Sequence, residues 1–535
     1  MSERQDPDDR ETNHAPEEET REAEGALTAV GAPSSPATEP AASDPANSGP
    51  NEGKARSGGP DGGAAGNGGE ERREGRSGGP DGAGAGGGGE ERGQDRGGGP
   101  DGAGAAGAGG GGKGAGMDER GVTTPALRRQ AGVALALLGI VILAVAAFTT
   151  PWHVLTGGPP DPARDFTAAQ IARGEAFDAA TSLPSYLSLA LTLIFAGLLV
   201  ATPFGAKVLG VLKGPWWLRV IIGTVVITAI VEALRWPLGM WFETILREYG
   251  LSTQDWAGWT ADRLKNLGVE TVLLSLMLLV LVALARHVRR WWIPAALGAF
   301  AFTVAASFVY PVVFEPLFNE FTPMQQGALR TNLLDLAARD GVPVEDVLVA
   351  DASRRTTALN AYVSGFGATR RIVVYDTLLR APQREVELVV AHELGHAKYD
   401  DVLHGTLIGA LGSAFGAILL YLVFDPLRRR TKVTSITDPR AVGALLGLMT
   451  IGGFLLGPAQ NLISRHIEAR ADVHALDLTR DPATFIAMQK RLATTNISDL
   501  TPNAVEYVLY ASHPSSPERI AMARTWARLN GVPIP

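Results

Sequence analysis

The chain has 535 residues, 45% of them hydrophobic, a formal net charge of −8 and no cysteine. The missing thiols exclude disulfides, thiolate metal ligands and a cysteine nucleophile. The acidic balance gives no support for nucleic-acid binding.

Residues 1–116 are rich in Gly, Ala, Pro, Asp and Glu and nearly empty of aromatic and branched apolar side chains. Such a stretch buries too little surface to offset chain entropy, so the sequence predicts a disordered tail. A repeat runs through it: Ser-Gly-Gly-Pro-Asp at 57–61 returns at 77–81 and decays at 97–101. The unit has no hydrophobic face to stack on a neighbour, which makes the repeat one of low complexity. The tail holds 22 acidic and 11 basic residues, which leaves residues 117–535 at +3. Met117 offers an alternative translation start, and no cleavable signal peptide is visible at the N-terminus.

A bilayer span needs roughly 20 mostly apolar residues in a helix. Seven stretches qualify: 131–149, 186–203, 216–234, 269–286, 292–312, 404–423 and 441–459. The pairs Trp216-Trp217 and Trp291-Trp292 fit an interfacial aromatic belt. The expected organisation is spans one to five within 117–312, a globular segment at 313–403, spans six and seven within 404–459, and a C-terminal segment at 460–535. Arg128-Arg129, Lys207, Lys213, Arg289-Arg290 and Arg428 to Arg430 gather on the connections of one side. By the positive-inside rule that side, with the N-terminus, is cytoplasmic. Residues 313–403 and the C-terminus then lie together on the other side, because two spans separate them.

Within the globular segment, Leu329, Leu333, Leu334, Leu336 and Ala337 suggest an amphipathic helix. Residues 346–350 and 371–375 read as short strands, with a turn region near Gly365 and Gly367 between them. A strand edge there can hold an extended peptide by backbone pairing.

His392-Glu393-Leu394-Gly395-His396 follows, flanked by helix-compatible residues. Histidines four apart lie one above the other on a helix, so both imidazoles reach one metal ion. Zinc lowers the pKa of a water it holds to ~7, and the adjacent Glu393 can take that proton. The pattern reads as one zinc ion per chain. The bland alternative is an amphipathic helix with two exposed histidines.

Residues 461–472 strengthen the zinc reading. A catalytic zinc takes three protein ligands, and Glu468 is the candidate for the third. Asp472, one turn on, can orient a ligand histidine by accepting its second ring N–H. Arg465 lies three residues before Glu468, near the same face. His466 and His474 point elsewhere, since two residues along a helix turn by roughly 200°. A solvated, charge-laced helix is the alternative here.

Several motifs in order resemble the type I CAAX prenyl protease family, integral-membrane zinc metallopeptidases of gluzincin type. They are Phe166-Thr-Ala-Ala-Gln-Ile-Ala-Arg-Gly174, Glu315-Pro-Leu-Phe-Asn-Glu-Phe-Thr-Pro323, Asn360-Ala-Tyr362, residues 371–376, the pentapeptide with Lys398, Ser464-Arg465 with Glu468 and Asp472, and Ser512-His513-Pro514. The resemblance covers most of residues 117–535 and none of the tail. It implies a mainly α fold, with seven transmembrane helices enclosing a chamber and a small α+β zinc metallopeptidase domain. It implies His392, His396 and Glu468 as zinc ligands, Glu393 as general base, Asn360 on the substrate backbone and His513 near the scissile carbonyl. A donor such as His513 aimed at the oxyanion is worth several kcal/mol of barrier. Arg519 is expected to reach the same region.

The implied partners are a peptide or protein substrate and the lipid bilayer. Eukaryotic members of the family place the catalytic side in the cytosol, opposite to the charge-based topology. Thr356-Thr357-Ala358-Leu359 departs from the polar run expected before Asn360, and the Ala, Gly and Arg bias reads as bacterial, so the natural substrate stays open. The competing functions are a transporter and a scaffold that keeps zinc for stability. The polar motifs lie outside the spans, which disfavours the first; Glu393 has no use in the second.

Overall fold

Helix α1 (Pro125–Thr149) opens the computed structural model, which describes residues 124–365 and 367–534. The tail at 1–116, for which the sequence predicts disorder, lies outside the described residues. Thr124 caps α1 by accepting from the Leu127 amide, and Pro125 sits where no amide partner is needed. After the short α2 (Pro162–Asp165), α3 (Ala168–Ala201) begins with a capping box between Thr167 and Gln170. Then come α4 (Phe204–Leu209), α5 (Trp216–Glu248), α6 (Trp256–His287) and α7 (Trp292–Val309). A wide helical turn at Tyr310–Phe314 and a tight one at Glu315–Leu317 prolong α7.

The next segment holds β1 (Phe321–Pro323), α8 (Ala328–Asp340), β2 (Asp346–Ala350), β3 (Ala361–Ser364), β4 (Arg371–Tyr375) and α9 (Gln383–Lys398). Two long helices follow, α10 (Asp401–Thr431) and α11 (Val442–Thr479). The chain ends with α12 (Pro482–Thr495), α13 (Ala504–Leu509) and α14 (Ser516–Leu529).

Among the described residues seven helices are long and apolar enough to cross a membrane: α1, α3, α5, α6, α7 with its extension, α10 and α11 with its preceding turn. Six of the seven expected stretches fall within them and the second, 186–203, overruns α3 by two residues, while several helices run well past the apolar stretch. Helix α3 starts at Ala168 rather than near 186, and α6 at Trp256 rather than near 269. Hydropathy reports where lipid begins, whereas the helix continues until a cap or a turn stops it. Helix α11 runs unbroken through Pro458, so span seven and the Glu468 segment are one rod.

Leu209, Val220, Ile227, Leu278, Val282 and Leu445 pack between the spans, while Leu143, Ile194, Leu297 and Leu455 face outward. Gly447 sets the contact of α11 with α3: a Cβ there would stand 2.7 Å from the Ala196 carbonyl oxygen. A second core joins Leu333, Val347, Ile372, Leu388, Leu394, Phe485 and Trp526.

The sheet has the order β1-β2-β4-β3, with β2 and β4 parallel and the outer pairs antiparallel. Strands β2 and β4 occupy the two runs expected from sequence. Strand β3 lies in the connection read as a turn region, and it forms the sheet edge packed against α9. Three or four residues carry too little alternation to announce a strand, which is why β1 and β3 escape a sequence reading.

Candidate metal centre

Helix α9 carries His392 and His396 on one face, and α11 brings Glu468 against them. Nε2 of His392 lies 3.2 Å from Nε2 of His396 and 3.1 Å from Oε2 of Glu468. Nε2 of His396 lies 3.5 Å from the other Glu468 oxygen. Donors bound at 2.0–2.1 Å around a tetrahedral zinc are about 3.3 Å apart. The three side chains therefore fit such an ion as they stand.

The ring atoms turned away from this point are also occupied. Nδ1 of His392 lies 2.9 Å from Oδ1 of Asp472, whose carboxylate is buried and held by the Arg519 guanidinium, with Nε donating at 2.7 Å. Nδ1 of His396 lies 3.0 Å from Oδ2 of Asp401, whose other oxygen accepts from Arg470. Each imidazole thus offers Nε2 inward, the arrangement that fixes the tautomer of a metal-bound histidine.

Charge in the site calls for a cation. Burial opposes protonation of His392, but Asp472 and Glu468 outweigh it and push the imidazole pKa up to about 10. His396 is raised too, Asp401 and Glu468 prevailing over its burial. Glu393 differs from its neighbours. Among the described residues it has no hydrogen-bond partner, and burial pushes its carboxyl upward against the pull of His392 and His396. A carboxylate left free beside a cation site is available to move a proton.

His513 reaches the centre from the strap that follows α13, with Nε2 3.3 Å from Oε2 of Glu468 and the side chain 56% exposed. That strap is fastened to α11. Arg465 donates to the carbonyls of Tyr507 and Ala511 and stacks on the Tyr507 ring, and Asn461 donates to Leu509. Arg465, expected on the Glu468 face, therefore touches the strap that carries His513 and not the ligands. Its side chain is long enough to leave the face on which its backbone sits.

Asn360 precedes β3, its Oδ1 accepting from the Ala361 amide. His466 packs edge-on against Trp152, and Nε2 of His474 lies 2.9 Å from Asp340, which also accepts from Lys398. Sequence reasoning did not anticipate Asp401 or Arg470. Asp401 lies five residues beyond His396, past the end of α9, where helical spacing no longer applies. Arg470, two residues after Glu468, starts on another face of α11.

Comparison with known proteins agrees with this geometry. Residues 323–527 match the model of peptidase family M48, and residues 167–320 match the CAAX prenyl protease N-terminal model, described as five membrane helices. An uncharacterized metalloprotease, YhfN, of Bacillus subtilis is 31% identical over 56% of this chain and 71% of its own length. A CAAX prenyl protease 1 homolog of Oryza sativa is 34% identical over 42% of this chain and 53% of its own length. The crystal structure of S. mikatae Ste24p superposes with a TM-score of 0.59 over 75% of this chain and all of that one. At 19% identity that likeness shows the fold alone. The chain belongs to peptidase family M48 and is a membrane-spanning metallopeptidase similar to CAAX prenyl protease 1.

Proposed function

We propose that the metal is zinc, held by His392, His396 and Glu468, and that the protein is an endopeptidase of the cell membrane. The observation that carries this reading is the spacing of the three donors, 3.1 to 3.5 Å, beside a Glu393 with no hydrogen-bond partner among the described residues. When bound, zinc supplies a Lewis acid that polarises the peptide carbonyl and acidifies water. Glu393 takes a proton from the attacking water and returns it to the departing amine. His513, at the rim, donates toward the oxygen on which negative charge develops. Asp472 with Arg519 keeps His392 in the ligating tautomer.

The substrate is proposed to be a peptide lying extended along β3, with Asn360 at the entry to that edge. The names of the eukaryotic relatives, CAAX prenyl protease 1 and its homologs, point to a CAAX-containing peptide as the substrate class. The seven helices of membrane-crossing length and the match to a model of five membrane helices support a membrane location. Charged groups also lie on the spanning helices, at or just beyond the ends of their apolar stretches: Arg263 pairs with Glu232 at 2.6 Å, and Nε of Arg235 donates to Ser188. Such groups sit in a spanning segment where they face a polar interior, and they support a water-containing space among the helices.

Glu393→Gln tests the reading. The variant should retain about one zinc per chain while turnover of a peptide substrate falls by roughly 10²–10⁴. Undiminished cleavage would remove Glu393 from its role.

A further inference from the structure

The two histidines are backed by matching pairs, each a buried carboxylate held by a partly buried guanidinium. His392 has Asp472 and Arg519 behind it; His396 has Asp401 and Arg470. Resting on the ligand set proposed above, we infer that Asp401 is a positioning residue for the metal centre, holding Nδ1 of His396 so that Nε2 is presented to the ion, with Arg470 fixing which way the Asp401 carboxylate faces.

Three features of the fold carry this. Helix α9 ends at Lys398, and Asp400 adopts a left-handed backbone (φ 51°) that turns the chain back toward the His396 ring. Asp401, the first residue of α10, is thereby buried against an imidazole that a continuing helix would have left behind. The Arg470 guanidinium is held from a second direction, lying 4.3 Å over the Tyr399 ring. Among the described residues no other side chain accepts from Nδ1 of His396. A turn of the imidazole breaks its contact with the first residue of a spanning helix, so α10 supplies the group that backs His396.

Charge direction makes the assignment testable. In Asp401→Asn, Arg470 attracts the amide oxygen and leaves the NH₂ group facing Nδ1. The neutral ring then carries its proton on Nε2, the atom needed for the metal. Removing Arg470 as well, in Asp401→Asn with Arg470→Met, frees the amide oxygen to turn toward His396. The double variant also leaves no uncompensated buried charge, which keeps the fold available for measurement.

The test uses the full chain purified in detergent, with zinc affinity measured by competition against a chromophoric chelator and the cobalt-substituted protein examined by its visible absorption. Asp401→Asn should bind zinc about 10–100-fold more weakly, with an altered cobalt band. Without metal, the double variant should melt like wild type, which separates a lost ligand tautomer from a lost fold. The double variant should regain at least roughly threefold of that affinity. Zinc affinity within twofold of wild type in Asp401→Asn, or no recovery in the double variant, overturns the inference. A wild-type protein that holds no zinc, or zinc binding indifferent to His396→Ala, overturns the ligand set itself, a result distinct from failure of Asp401 alone.

Discussion

Gly395 lies against His474: a Cβ on the glycine would stand 3.1 Å from Cδ2 of that ring and 3.3 Å from Cα of Ala471. Because His474 and Glu468 share α11, this bare spot on α9 sets how near the carboxylate comes to the two imidazoles. Gly395→Ala should force α11 outward by a few tenths of an ångström. Overpacking of that kind destabilises by about 1–3 kcal/mol. A lower melting temperature together with weaker zinc binding is expected; unchanged affinity would show that the contact is not what sets the ligand spacing.

Zinc affinity should follow pH with a definite sign. Metal binding needs neutral imidazoles, and the metal-free His392 holds its proton up to about pH 10. Protons therefore compete with the ion throughout the neutral range, and affinity should rise about tenfold per pH unit for each proton displaced. Competition titrations at pH 6, 7 and 8 should give a slope of at least one on logarithmic axes. A flat profile would mean that the ion does not displace the His392 proton.

His513 and Arg465 should separate chemistry from metal binding. His513→Ala is expected to lower kcat by about 10²–10³ with zinc content unchanged. Arg465→Met, which releases the carbonyls of Tyr507 and Ala511, should lower kcat by a smaller factor, also at full zinc content. Loss of zinc from the Arg465 variant would instead tie that residue to the ligands.

Removing the ion should loosen the α9–α11 contact, since the three proposed ligands bridge those helices. Zinc at 1,000 times its dissociation constant adds about 4 kcal/mol to the folded state. Stripping wild type with a chelator should lower its melting temperature, and Glu393→Gln should show the same metal-dependent shift. A shift absent from both proteins would remove zinc from the α9–α11 junction.

Much of this protein could be read along the chain because the relevant physics is local. Crossing a bilayer depends on hydropathy summed over contiguous residues, so the seven spans were legible, with only their ends misjudged. That His392 and His396 share one helix face, and that Glu468 and Asp472 share another, follows from helical periodicity.

Tertiary structure decided what periodicity does not encode. The left-handed Asp400 reverses the chain, so that Asp401, five residues beyond His396, returns to its ring. Arg470 and Arg465 begin on one face of α11 and deliver their charge to another, because a long flexible side chain is not bound to the direction of its Cβ. The edge strand β3 exists only because β4 pairs with it. Residue types and helical spacing pointed to the groups proposed to hold the ion, and the fold brings those three side chains together. The packing of α9, α10 and α11 determined what holds those groups, since contacts between distant segments depend on turns and side-chain reach that one helix cannot report.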